Sequence, residues 1–121
     1  MLYGAKMERI QTTAVFPSIA ASALREFKEV AADLLARAHQ EPGTLHYDWF
    51  FNSDETQCIV HETFADSDAV LTHMGNAGSL TGRLVELGGG VRVDVFGNPS
   101  DELRAALATF DAPIYAFYKG K

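Results

Sequence analysis

The chain holds a single cysteine, Cys58, in 121 residues, so it forms no internal disulfide and offers no thiolate cage for a metal. Basic residues are also few: ten Lys and Arg against sixteen Asp and Glu give a formal net charge of −6. These cations are scattered, so nucleic acid or an anionic membrane surface meets no complementary patch. No apolar run nears the ~20 residues that span a bilayer. The N-terminus lacks the positive, apolar, small-residue order of a secretory signal, and a reducing cytoplasm is the expected location. The four histidines show no HxH or HExxH spacing, which disfavours a preformed metal site. No GxGxxG or P-loop opens a helix and no GxSxG elbow occurs, so neither a nucleotide cofactor nor an elbow-type serine is indicated. The sequence points to no cofactor.

What remains is an ordinary globular composition, 47% hydrophobic and 21% charged, at a length of one domain spanning 1–121. Its most informative stretch is Glu41 to Met74. Glu41, Pro42 and Gly43 stop a helix, because Pro42 cannot donate to one and Gly43 permits a sharp exit. His46, Tyr47, Trp49, Phe50 and Phe51 then crowd one strand, which suits a pleated surface covered on both faces. Cys58, at strand spacing beside Ile59 and Val60, reads as a small buried apolar residue.

Periodicity orders the remainder. Residues about 7–16 alternate loosely and predict a strand that Pro17 ends. Leu24, Phe27, Val30, Ala31, Leu34, Leu35 and Ala38 recur at helical spacing, with Ser18 or Ser22 as the expected cap. Strands at about 44–52 and 57–64 flank a polar turn, Asn52 to Thr56, and form an antiparallel hairpin. Asp66 caps a further helix that Gly75 and Gly78 interrupt and Leu80, Leu84 and Leu87 continue. The triple glycine 88–90 turns the chain into a strand at 91–96. Asn98, Pro99 and Asp101 open a short helix through Leu107, and Ile114 to Tyr118 forms a last apolar piece.

Strand, helix, strand, strand, helix, strand is the split βαβ, or ferredoxin-like, order of an α+β protein, with helices on one face of a four-stranded antiparallel sheet. By alternation, Leu45, Tyr47, Trp49 and Phe51 share one side of the second strand, and Thr44, His46, Asp48 and Phe50 the other. Cys58, Val60, Glu62 and Phe64 likewise oppose Ile59, His61 and Thr63. Helices cover only one face, and a second apolar face calls for another sheet, hence a homodimer.

The segments EPGTLHYD (41–48) and HETFADSDA (61–69), together with His73, resemble the antibiotic biosynthesis monooxygenase superfamily. They correspond to its Glu-Pro-Gly turn, its Glu-x-aromatic-x-Asp signature and a histidine often found at that helix end. The resemblance covers about 7–98, leaving 99–121 as a C-terminal helix and strand extension. It implies a dimeric α+β barrel with one apolar cavity that serves varied chemistries, among them cofactor-independent oxygenation of quinols and haem degradation. Phe64 stands where many members carry tryptophan, and Gly78 where a second histidine commonly follows. Arg83 falls roughly where the haem degraders place their ligand histidine, which disfavours haem degradation.

A cofactor-free oxygenase has to deprotonate an electron-rich phenol in an apolar cavity while the anion passes an electron to dioxygen. His73 and Glu62 are the candidate catalytic groups, with burial disfavouring the charge of Glu62. Tyr47, Trp49, His61 and Phe64 are candidate walls for a flat aromatic ligand. The same residues have plainer readings. Tyr47 and Trp49 are ordinary packing residues, His46 and His61 pair across strands or meet at a dimer seam, His73 complements a helix dipole, and Glu62 is a hydrogen-bonded structural acid. The expectation is a cofactor-independent monooxygenase acting on a flat, quinol-type molecule. The alternative is a non-catalytic small-molecule-binding or dimerisation module of the same fold.

Overall fold

A computed structural model describes residues 7–121. Strand β1 (Ile10–Phe16) leads to helix α1 (Leu24–Ala38), and the hairpin strands β2 (Thr44–Phe51) and β3 (Cys58–Phe64) follow. Helices α2 (Ser67–Ala77) and α3 (Ser79–Leu87) precede β4 (Arg92–Phe96), α4 (Asp101–Leu107), a 3-10 turn (Ala108–Phe110) and a two-residue strand β5 (Ile114–Tyr115). The sheet order is β2-β3-β1-β4-β5. The first four strands pair antiparallel, as the ferredoxin-like order requires. The fifth, the strand of the 99–121 extension, adds itself parallel to β4, so the sheet is mixed and five-stranded rather than the four-stranded antiparallel sheet expected.

Local departures from the expectations have simple causes. Helix α1 has Ala23 at its N-cap, one residue past Ser22 and five past Ser18, with no side-chain cap. Asp66 does cap α2, accepting from the Ala69 amide at 2.8 Å. Ser100, rather than Asn98, caps α4 through the Leu103 amide. Gly75 stays inside α2, and only Gly78, at φ +54°, breaks the helix. Gly43 serves close packing: a Cβ there would stand 2.5 Å from that of Ala69 on α2.

The helices cover one face of the sheet. The α1 stripe buries Phe27, Val30, Leu34 and Ala38, and Phe27 meets Phe16, Trp49 and Phe51 edge-on. A second cluster, with Ile10, Phe64, Val70, Val95, Leu103 and Leu107, locks α2 and α4 to the other half of the sheet. Cys58 is fully buried, and burial pushes its thiol up to about 11.

Strict alternation fails at one place. A bulge between Thr44 and His46 shifts the register of β2. Thr44 therefore turns to the helix side and Leu45 is exposed, the reverse of the expected assignment for both residues. Beyond the bulge Tyr47, Trp49 and Phe51 lie opposite Glu62, Val60 and Cys58. Thr12 also pairs with Glu62 from the other side, so Tyr47, Glu62 and Thr12 form one row across three strands.

Candidate active site

A cavity of about 220 Å³ opens between this row and helices α2 and α3. Tyr47, Trp49, Glu62, Phe64 and His73 all line it, with Thr12 from β1 and Leu107 and Phe110 from the C-terminal segment. Five of the six residues singled out from the sequence thus meet in one space. The sixth, His61, projects from the opposite face, where it sits beside Asp48 and packs on Phe50. Alternation along β3 turns its side chain away from the cavity that Glu62 and His73 line.

The polar part of the cavity is a chain of side chains. The 2.7 Å contact joins His73 Nδ1 to Glu41 Oε1, and Nε2 lies 3.3 Å from Glu62 Oε1. The Thr12 hydroxyl donates to the second oxygen of Glu62. Glu41 also accepts from Thr44 Oγ1 at 2.8 Å and from Asn76 Nδ2 at 2.6 Å. His73 and Glu41 are 8% and 7% exposed, and a buried carboxylate is tolerated only when its oxygens are satisfied in this way. The His73 ring contacts Tyr47 edge-on and Phe64 at a tilt, with centroids 5.0 and 5.3 Å away.

Charge follows from these contacts. Burial works against a protonated His73, but hydrogen bonds and charge from Glu62 and Glu41 outweigh it and hold the imidazole above its ordinary value of 6.5. Burial likewise opposes ionisation of Glu41. Its bonds from Asn76, His73 and Thr44 overcome that and keep the carboxyl below 4.5. With a carboxylate at each ring nitrogen, the ring satisfies both by donating twice, as an imidazolium. The Tyr47 phenol is pushed far up, by burial first and then by the neighbouring carboxylates, and stays neutral.

Two further features were not visible in the sequence. Glu41 read there only as part of a helix stop, and nothing local marks its contact with a residue 32 positions away. Trp49 Nε1 is buried and meets no acceptor, an unusual state for an indole donor. Among the described residues, no three His, Cys, Asp or Glu side chains are grouped to hold a metal ion. No helix among them is long and apolar enough to cross a membrane.

The arrangement is that of a ferredoxin-like α+β protein with a buried acid–base pair in an apolar cavity. The family model of antibiotic biosynthesis monooxygenases matches residues 13–82, more than half of the chain, and the protein belongs to that family. MupZ from Pseudomonas fluorescens has a similar structure, with TM-score 0.77, 24% identity, and coverage of 93% of this chain and 92% of that one. A conserved protein from Methanosarcina mazei Go1 superposes with TM-score 0.68 at 16% identity, covering 79% of this chain and 98% of its own. Rv0793 from Mycobacterium tuberculosis gives 0.66 at 18%, covering 77% and 97%. At these identities the likeness speaks for the fold alone. None of the curated proteins compared matches the chain.

Proposed function

We propose that the protein is a cofactor-independent monooxygenase of small, flat hydroxyarenes, and that it works as a homodimer. The observation that carries this reading is the Glu62–His73 pair, 3.3 Å apart, set in an apolar cavity between aromatic walls. The volume of about 220 Å³ falls below the ~300–1,000 Å³ of common ligand sites, which suits about two fused rings. Flanked by two carboxylates, His73 serves as the cation and donor, and Glu62 is left as the base.

Glu62 takes the hydroxyl proton of the substrate, and the His73 imidazolium stabilises the negative charge that results. Water is excluded by Phe64, Tyr47 and Trp49, so the phenolate is a stronger electron donor than in bulk solvent. It passes one electron to dioxygen, and the radical pair joins at a ring carbon bearing hydrogen. Protonation of the outer peroxide oxygen and loss of that ring proton then cleave the O–O bond. Hydroxyarene plus O2 gives quinone plus water; the ring supplies four electrons, one oxygen atom enters the product, and no external reductant is consumed.

The test is oxygen uptake with 1-naphthol and 1,8-dihydroxynaphthalene, no cofactor added and the uncatalysed rate subtracted. Turnover that falls on Glu62→Gln substitution supports the reading. Calorimetric binding of these rings without turnover would favour the binding-module alternative, and neither binding nor turnover would sink both. The homodimer rests on the uncovered sheet face, where Leu45, Phe50 and Phe96 are 42%, 52% and 39% exposed. Light scattering checks it, and a concentration-independent mass near 13.2 kDa defeats it.

A further inference from the structure

We infer that Glu41 is a positioning residue of this site: through Nδ1 it fixes His73 so that Nε2–H is aimed at Glu62. The inference rests on the reading above, in which His73 acts at the cavity. Glu41 itself does not line the cavity and takes no proton from the substrate. A glutamate in a turn ahead of Pro42 and Gly43 has no structural need to be buried, since the helix stop depends on the proline and glycine. Yet its two oxygens accept from three side chains, His73 Nδ1 at 2.7 Å, Asn76 Nδ2 at 2.6 Å and Thr44 Oγ1 at 2.8 Å.

Those donors come from two elements, and a third braces them. Thr44 belongs to β2, displaced to this side by the bulge, and Asn76 to α2. Arg37 on α1 binds the Asn76 carbonyl at 2.8 Å and keeps that end of α2 in place. Glu41 is thereby held on both oxygens, and a fixed carboxylate fixes the imidazole that donates to it. The chain from Glu41 through His73 and Glu62 to Thr12 then has one satisfied arrangement, with both ring nitrogens protonated. The titratable and charged groups facing His73 are Glu41 from the turn, Glu62 from β3 and Tyr47 from β2, with Arg37 behind Asn76.

The test titrates the imidazole nitrogens of 15N-histidine-labelled protein and compares the result with the pH profile of 1-naphthol oxidation. In the wild type both His73 nitrogens keep their protons to a pH above the ordinary imidazole value of 6.5, and the rate falls as that proton leaves. In Glu41→Gln, which removes the charge at nearly constant shape, the His73 midpoint drops by about one pH unit or more, the falling limb of kcat moves with it, and KM changes less than about twofold. Glu41→Asp, which restores the charge, returns part of the shift. A Glu41→Gln protein that melts lower but titrates and turns over on the wild-type pH profile would make Glu41 merely structural and overturn the inference. A wild-type His73 that titrates at or below the ordinary imidazole value of 6.5 overturns it whether or not the variant folds. The nitrogen titration needs no substrate, so the inference stands or falls separately from the oxygenase reading: a protein without turnover whose His73 still responds to Glu41→Gln loses only the latter.

Discussion

The two faces of the sheet carry nearly the same chemistry and put it to opposite use. On the open face β2 and β3 present His46, Asp48 and His61 beside the half-exposed Phe50. On the covered face the same strands present Tyr47, Trp49 and Glu62, and α2 supplies His73. What separates a solvated histidine from an activated one is the third wall. A helix laid over the sheet excludes water and sets the ring between Glu62 of β3 and Glu41 of the turn, while on the open face of the protomer His46 and His61 stay exposed. Residue type is a poor guide to function here, and the face on which a residue falls is a good one.

Breaking the chain of contacts on the covered face is expected to have the largest effect. Glu41→Ala leaves His73, Asn76 and Thr44 without their common acceptor, and removing one member of a buried ion pair costs ~3–5 kcal/mol. Asp48→Ala, a comparable carboxylate on the open face, stays within about 0.5 kcal/mol. Urea unfolding of both variants measures the gap, and equal losses would erase the contrast between the faces. Next in size is catalysis. His73→Gln should lower kcat for 1-naphthol by about 10²-fold, in the range of a lost acid–base group, with His61→Gln within about twofold of wild type. A large loss at His61 would mean that the open face joins the reaction.

Smaller still is the pH dependence of stability. His73 is held above 6.5, so its contribution is complete below that pH and disappears as pH rises through the folded-state value. Glu41 is held below 4.5, so its contribution is complete above that pH and disappears as pH falls through its own folded value. Wild type should exceed His73→Gln most at about pH 5–6, by ~1.5–3 kcal/mol for hydrogen bonds to charged groups, and the margin should shrink toward pH 9 and toward pH 3. A margin that is flat from pH 6 to 9 would show that His73 is neutral throughout.

Much of this was legible in advance because it depends on short-range pattern. The α1 stripe, the β2–β3 hairpin, the Asp66 cap and the grouping of Glu62 with Phe64 all follow from spacing alone. The bulge at Leu45 was not legible, since the residues around it alternate as though the strand were regular, and the shift is set by where Thr44 meets Glu41. A strand in the 99–121 extension was expected, but its parallel place beside β4 was not, because two residues added to an edge leave no trace of their partner. Glu62 and His73 were each recognisable as chemistry-bearing. Glu41 was masked by the proline and glycine that follow it, and pairing across 32 residues has no local signature.

Trp49 gives the cavity an unplanned property. It is the sole tryptophan of the chain, and it stands in the cavity wall against Tyr47 and Phe27 with its indole nitrogen unpartnered. Fluorescence excited at the red edge, where tyrosine does not absorb, therefore comes from the site and nowhere else. A ligand that supplies the indole nitrogen with an acceptor shifts or quenches that emission, and unlabelled protein at micromolar concentration becomes its own binding assay.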